Sequence, residues 1–253
     1  MKVSVIIPCF NSDKYIEQAI FSAIAQKTNF DFEILVRDDF STDKSQQVIE
    51  RVTNYDWAVT KVFKPTENWG EMRNVKFLYE QAKGEYIAHL DGDDYWTTTN
   101  KLQRQVDFMD ANPDFSVCFT GGWHGFSDGS YEPSNVNQWL CHNLSLGSEI
   151  SIEQEMDGNY VTFGRMYRNR SDMITPWIVE NWQKTVWYND WATSYEATKR
   201  GRVKYLDFPT TVYRIRSDGV YQGSSIIERD ERIITQRAAM VLDYAEYTKK
   251  EPR

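Results

Sequence analysis

The stretch "EYIAHLDGDDYW" at residues 85–96 places three aspartates directly after a short apolar run. The apolar run predicts a buried strand, and Gly92 allows a tight turn between Asp91 and Asp93. Side chains two positions apart on such a backbone project the same way, so both carboxylates can approach one ligand. A divalent cation suits these hard oxygen ligands. A solvated Asp-Gly turn is the competing interpretation, because this dipeptide is a strong turn signal.

Strands and helices alternate along the first part of the chain. The strand-like runs are "VSVII" (3–7), "FEILV" (32–36), "AVTKVF" (58–63) and "EYIAHL" (85–90), and helical patterns lie between them. This alternation predicts βαβ units and a doubly wound, mostly parallel α/β sheet. The polar clusters "PCFN", "RDDFSTD" and "LDGDD" each follow a predicted strand. Because ligands of such sheets bind beyond the carboxyl ends of the strands, we expect these clusters to meet at one edge.

The second part of the chain is less regular. We expect a helix at 100–113, a strand at 115–120, a short helix after Asp190, the strand pair "RVKYL" and "TVYRI", and a terminal helix from about Glu228. On that last helix, Ile233, Ile234, Ala238 and Val241 lie on or near one face. This face could pack internally, pair with a partner or touch a membrane surface, and internal packing is the favoured interpretation.

Composition narrows the class of protein. The 253 residues carry a net charge of -8, and the pI is about 5.0, which argues against a nucleic acid held through its phosphates. The three cysteines form no C-x-x-C pair, so reduced thiols and a cytoplasmic location are expected. No apolar run approaches the ~20 residues of a transmembrane helix.

Five stretches, taken in order, resemble the inverting GT-A glycosyltransferases of family 2. They are "VSVIIPCFN", "FEILVRDDFSTDKS", "NWGEMRN", "AKGEYIAHLDGDDYW" and "NKLQRQVDF…NP", spanning roughly residues 3–113. A Walker loop and a G-x-G-x-x-G fingerprint are both absent from the sequence, which argues against P-loop NTPases and nicotinamide enzymes. The resemblance implies a GT-A fold and a metal, Mn²⁺ or Mg²⁺. It also implies a nucleoside-diphosphate sugar as the sugar donor, with a UDP-linked sugar favoured.

The resemblance also implies roles for individual residues near the nucleotide. Asp39 would hydrogen-bond the base with Asp38 beside it, and the base pocket would be lined by Pro8, Phe10 and Asn11. Asp91 would lie near the ribose and the metal, Asp93 would be the principal metal ligand, and Arg73 would help to position the nucleotide. Other interpretations remain open: helix caps for the first two aspartates, core packing for the phenylalanine and a solvated helix face for the arginine.

Asp190 is the residue predicted to act as the general base. Members of the family that this chain resembles have an acidic residue at this position, at the start of a helix that faces the acceptor. A helix cap is the competing interpretation for Asp190, and Glu196 is the nearest alternative base. Many relatives carry a histidine metal ligand where this chain has Arg216 in "VYRIRSDG". Arginine cannot ligate a cation, so Arg216 is predicted to contact the diphosphate directly, with a surface side chain as the competing interpretation.

The predicted organisation is one continuous domain with a terminal helix. Residues 1–120 would bind the nucleotide sugar, residues 121–227 would bind the acceptor and supply the base, and residues 228–253 would form the helix. The tryptophan-rich stretch 121–188 is the candidate acceptor region, because aromatic rings pack against sugar faces. The predicted activity is inverting transfer to a saccharide or glycan precursor, with a lipid-linked one as an option. A nucleotidyltransferase and a non-catalytic carbohydrate-binding protein are the alternatives.

Overall fold

The computed structural model is described at residues 1–53, 60–64, 66–126, 131–134, 148–170, 173–174, 176–181, 184–216 and 224–250. Its strands are β1 Val3–Cys9, β2 Phe32–Asp38, β3 Thr60–Phe63, β4 Tyr86–His89, β5 Tyr95–Trp96, β6 Phe115–Gly125, β7 Tyr131–Ser134, β8 Met166–Arg168 and β9 Arg202–Arg214. Its helices are α1 Ile16–Ile24, α2 Ser45–Thr53, α3 Glu71–Gln81, α4 Lys101–Ala111, α5 Ile152–Asp157, α6 Pro176–Asn181, α7 Asn189–Thr198 and α8 Ile226–Lys250.

These strands form one mixed sheet in the order β3-β2-β1-β4-β8-β6-β9-β5, with β7 paired to β6. The first four strands are parallel, and Val5 of β1 lies between Ile34 of β2 and Ala88 of β4. Strand β8 is antiparallel to both of its neighbours, β4 and β6, whereas β6 and β9 run parallel. The prediction of a mostly parallel α/β sheet of the GT-A type is therefore confirmed.

The first strands are mainly apolar because helices cover both faces of the sheet. Val3, Val5 and Ile7 of β1 pack in one buried cluster with α1 and α2. Ile6 faces the other way, into a second cluster that includes Val75 of α3. Burial on both faces is typical of parallel strands joined by helical crossovers, and it fixes the strand ends that carry the polar loops.

Two sequence predictions are wrong in the second part of the chain. The expected strand pair "RVKYL" and "TVYRI" is a single strand, β9, which shifts register against β6 around Thr120–Gly122. Of the four residues predicted to share a packed face of α8, Ile233 packs against the buried cluster that includes Met240, but Ile234, Ala238 and Val241 are exposed. Gln236 and Met240 are the buried residues of this helix. Within the described ranges, no helix is long and apolar enough to cross a membrane.

Candidate active site

The aspartate turn lies tightly against the end of β1. Leu90 N donates to Ile6 O at 3.1 Å, and Gly92 N donates to Pro8 O, also at 3.1 Å. A Cβ at Gly92 would lie 2.8 Å from Pro8 O, so only glycine fits this approach. The turn that carries Asp91 and Asp93 is therefore fixed to the carboxyl end of the central strand, as the sequence predicted.

Asp91 is held by two neighbours. His89 Nε2 lies 3.0 Å from Asp91 Oδ1, and Arg165 Nη2 donates to Asp91 Oδ2 at 3.2 Å. Burial disfavours the charged carboxylate, but the His89 ring and the Arg165 guanidinium outweigh it and hold the pKa of Asp91 well below its usual range. Both oxygens of Asp91 are thus already occupied by protein groups.

Asp93 has fewer side-chain contacts than Asp91, although it is slightly less exposed. Its side chain is 31% exposed, and its Oδ2 lies 3.1 Å from Arg216 Nη1. Burial and the neighbouring Asp91 raise the pKa of Asp93 despite that arginine. The pKa of Asp94 is raised further by burial and by both aspartates, although its Oδ1 accepts a hydrogen bond from Arg214 N at 3.0 Å. Three carboxylates in one turn therefore leave negative charge that a bound cation would stabilise.

Asp190 lies in the first turn of α7, and we call the region bounded by Asp91, Asp93, Arg165 and Asp190 the cleft. Its Oδ2 accepts a hydrogen bond from Asn159 Nδ2 at 2.7 Å and lies 3.6 Å from Arg165 Nη1. Arg165 is almost fully buried and also contacts Asp91 through its other terminal nitrogen. One guanidinium therefore connects the predicted base to the aspartate turn. The structure brings Asp91, Asp93 and Asp190 together around one cleft.

Glu71 adds a fourth carboxyl group to this cleft. It is the first residue of α3, and its Oε1 accepts a hydrogen bond from Nδ2 of the buried Asn189, beside Asp190. Lost hydration of the carboxyl, together with the nearby Asp91 and Asp190 carboxylates, raises the pKa of Glu71 to about 8. Glu71 thus connects the helix that follows β3 to the helix that carries the predicted base.

The loops after β1 and β2 are joined by hydrogen bonds, which confirms that the polar clusters meet at one edge. Asn11, with a φ of 46°, donates from its N to Ser41 Oγ at 2.8 Å and accepts at Oδ1 from Thr42 N at 2.9 Å. Arg216 Nη2 donates to Asn11 O at 2.9 Å, and Nη1 donates to Ser12 Oγ at 3.2 Å. Arg216 therefore lies between this pair of loops and Asp93.

Asp39 is buried beneath these loops. Its Oδ1 accepts hydrogen bonds from Arg37 Nη1 at 3.1 Å and Trp69 N at 2.9 Å. The Arg37 guanidinium stacks on the Trp69 ring, 3.9 Å from its centroid, and also donates to Asn74 Oδ1 at 2.6 Å. Asp39 is thus held rigidly by the side chains and backbone around it. Its hydrogen bond to a nucleotide base stays a prediction.

Two of the competing interpretations, helix caps for Asp38 and Asp39 and core packing for Phe10, are wrong, whereas Arg73 does lie on an exposed helix face. Asp38 Oδ2 accepts a hydrogen bond from Ser41 N at 2.9 Å, within the loop, whereas α2 begins at Ser45 and its first N–H is bonded by Asp43. Neither Asp38 nor Asp39 is therefore a helix cap. Phe10 is 48% exposed beside the loops and is not a core residue.

Two other residues lie differently from expectation. Arg73 is exposed on α3, and in the described ranges no hydrogen bond or ion pair links it to the cleft residues. Glu196 is neither a solvated side chain nor a candidate base, because it is 1% exposed and pairs with Lys199 and Arg200.

Trp191, in the predicted acceptor region, is buried and donates from Nε1 to Glu155 O at 2.5 Å, so it is a core residue. Trp139, Trp182, Cys141 and His142 lie outside the described residues.

Sequence reasoning missed Arg165, Asn159 and Glu71. Arg165 follows Gly164, which has a φ of 54°, and the "FGR" tripeptide marked a turn without indicating where the side chain points. His89 is buried in β4 and also contacts Asp91. The position of Arg165 depends on the pairing of β8 with β4, which links residues about eighty positions apart.

A divalent metal fits this site if one carboxylate and the substrate phosphates hold it together. Within the described ranges, no group of three or more histidine, cysteine, aspartate or glutamate side chains is arranged to hold one. Mg²⁺ and Mn²⁺ are often bound by one or two carboxylates plus substrate phosphates, and Asp93 suits that mode. Asp91 suits it less well, because both of its oxygens already have partners.

The chain is similar to proteins of one family. An uncharacterised glycosyltransferase of Nostoc sp. is 40% identical over 221 residues, which are 85% of this chain and 65% of that protein. A crystal structure of S. aureus TarS 1–349 in complex with UDP-GlcNAc matches with a TM-score of 0.67 and 22% identity, covering 96% of this chain and 67% of that one. The mannosyltransferase PcManGT from Pyrobaculum calidifontis, in complex with GDP-Man and Mn²⁺, matches with a TM-score of 0.61 and 15% identity, covering 96% and 64%.

The matches cover most of this chain but only part of the length of its relatives. The chain spans 61–65% of the length of curated relatives that match most of it. The sequence profile of the family described as "Glycosyl transferase family 2" matches residues 4–172. That range includes the aspartate turn and Arg165 but ends before Asp190 and Arg216. Together with the cleft at the strand ends, these matches show that the chain belongs to glycosyl transferase family 2.

Proposed function

We propose that this protein transfers a sugar, with inversion, from a nucleoside-diphosphate sugar to a saccharide or glycan-precursor acceptor. The observation that carries the proposal is the bridge from Asp91 through Arg165 to Asp190. Through this bridge, the candidate base Asp190 and the loop that would hold the sugar donor contact the same guanidinium group. The sugar donor is proposed to be UDP-linked, because TarS was crystallised with UDP-GlcNAc.

The reaction would be a single displacement at the anomeric carbon. The acceptor oxygen forms the new bond, the bond from that carbon to the diphosphate oxygen breaks, and Asp190 takes the acceptor proton. A positioned base of this kind contributes about 10²–10⁴-fold to the rate. Asn159 and Arg165 orient the Asp190 carboxylate toward the cleft, which reduces the entropy cost of reaching a reactive geometry.

The leaving diphosphate needs positive charge beside it. The guanidinium of Arg216 lies between Asn11 and Asp93 and is the proposed contact for the diphosphate. A divalent ion, when bound at Asp93, would supply Lewis-acid stabilisation of the same charge. PcManGT was crystallised with Mn²⁺, which supports Mn²⁺ as the first ion to test. The nucleotide base is proposed to lie near Asp39, with Phe10, Pro8 and Asn11 around it.

Thermal shift and nucleotide release test this function together. We expect UDP-GlcNAc or a related sugar donor, with Mn²⁺, to raise the melting temperature, since a ligand that binds only the folded form must do so. Slow release of UDP should fall by about 10²–10⁴-fold in Asp190→Asn, while that variant keeps its thermal shift. Asp93→Asn should lose both signals.

Two outcomes would contradict the proposal. If no nucleoside diphosphate or sugar derivative shifts the melting temperature of the wild-type protein, the cleft does not hold a nucleotide sugar. If a donor binds but is never turned over with any acceptor, the carbohydrate-binding alternative is favoured instead.

A further inference from the structure

The terminal helix α8 exposes an apolar stripe along its outer face. We define the outer stripe as Ile227, Ile234, Ala238, Val241, Leu242 and Ala245. The four larger side chains are 71%, 66%, 53% and 70% exposed, in chain order. Their spacing of three, four and seven residues places them on one side of the helix. A contiguous exposed apolar patch of this kind is typical of a binding surface.

The opposite face of α8 already packs against the domain. Gln236 Oε1 accepts hydrogen bonds from Trp187 N at 2.7 Å and Tyr188 N at 2.8 Å. Met240 O and Asp243 Oδ2 both accept from the Tyr195 hydroxyl, at 3.1 and 2.7 Å. The inner face thus fixes the helix without help from the outer stripe, whose apolar side chains serve no described internal contact.

The charges on the outer face indicate what the stripe would bind. Acidic residues, Asp230 and Glu231, lie at its N-terminal end, and Lys249, which also pairs with Glu246 at 2.7 Å, lies at its C-terminal end. A second α8 in antiparallel orientation brings opposite charges together, whereas a parallel one brings like charges together. Antiparallel helices also align their macrodipoles favourably. An anionic lipid surface is disfavoured, because the stripe carries acidic residues and the chain has a net charge of -8.

The side-chain sizes match the same arrangement. A two-fold axis near Met240 would place Ala238 opposite Leu242 of the second copy, and Ile234 close to its Ala245. Large residues would then meet small ones, which lets two helices approach closely. The same axis would place Glu231 opposite Lys249 of the second copy. We therefore infer that the outer stripe is a homodimer interface in which two copies of α8 pair antiparallel about a two-fold axis.

Sedimentation equilibrium of the full chain at about 1–50 μM tests the apolar part of this interface. The wild type should form a dimer of the 29.8 kDa chain. Leu242→Glu and Ile234→Glu should each weaken dimerisation by about 30-fold or more, because they bury a charge at the interface centre. Phe21→Glu is the matched control: this residue is 41% exposed on α1, away from the stripe, and should leave dimerisation unchanged. Far-UV circular dichroism spectra that match the wild type, with cooperative unfolding, would show that the variants fold.

A charge-swap cycle tests the orientation. Glu231→Lys and Lys249→Glu should each weaken the dimer several-fold at low salt, and the double variant should recover it. A monomeric wild type at 50 μM would overturn the inference, as would a dimer that Leu242→Glu leaves intact. Failure of the double variant to recover would overturn the antiparallel register. Stripe-dependent binding to phosphatidylglycerol vesicles by a protein that is monomeric in solution would replace a second copy with a lipid surface.

Discussion

Residues 3–96 bring carboxylates to the cleft, whereas residues 159–216 bring mainly amides and guanidinium groups to meet them. The first half presents Asp91 and Asp93 on a turn fixed by β1, and the second half supplies Arg165 and Arg216. Neither half is therefore a complete site. The first half concentrates negative charge at the strand ends, and the second half balances part of it and adds the predicted base.

Turnover should fall most when the Arg165 contact between the two halves is removed. Arg165→Met leaves Asp91 and Asp190 without their shared cation, so turnover should fall about 100-fold through loss of positioning. Stability should fall by about 2–3 kcal/mol, less than for a fully buried pair because Asp91 is 39% exposed. Steady-state kinetics and urea unfolding measure the two effects.

Arg165→Lys is the matched control for that variant. It keeps the positive charge but not the two-pronged geometry, so stability should recover more than turnover does. Wild-type kinetics in Arg165→Met would show that the two halves work independently.

Arg216 tests whether the second half also contacts the diphosphate. Arg216→Ala should raise the KM for the sugar donor about tenfold, the value of one charged hydrogen bond, and should alter metal affinity less. Arg216→His supplies the ligand that many family members carry, so it should tighten Mn²⁺ binding measured by calorimetry. Unchanged kinetics for the sugar donor in the alanine variant would reject the assigned contact.

Asn159 gives a smaller test of the same division. Asn159→Ala removes one hydrogen bond to Asp190, worth about 1 kcal/mol, so kcat should fall about fivefold with little change in the KM for the sugar donor. Asn169→Ala is the control, because this amide bonds Ala82 O and Gly84 O away from the cleft. An equal loss of kcat in both variants would indicate a general structural effect.

Glu71 provides a test of a different kind, on the pH dependence of stability. Its pKa is raised from 4.5 to about 8, so the folded protein binds a proton that the unfolded chain has lost across this interval. The stability contributed by this group is therefore present at low pH and lost as the pH rises toward about 8. Glu71→Gln should flatten that part of the profile in urea unfolding. Glu80→Gln, an exposed position on the same helix, should not.

Local patterns were enough to predict the first half. The apolar strands, the polar loops at their ends and Gly92 in the aspartate turn are each specified by neighbouring residues. The second half depends on contacts between distant residues, which local patterns do not contain. Arg165 reaches Asp91 across 74 positions, and β9 continues as one strand because β6 supports its whole length. Asp190 was predicted through family resemblance, not through any local pattern.

The short strand β8 has a consequence for how the protein is made. It lies between β4 and β6, although it follows both of them in the chain. While the polypeptide emerges from the ribosome, the outer side of β4 has no partner until residue 168 is available. An unpaired strand edge is a template for association with other chains. This edge of β4 is therefore open to association with other chains until β8 inserts beside it.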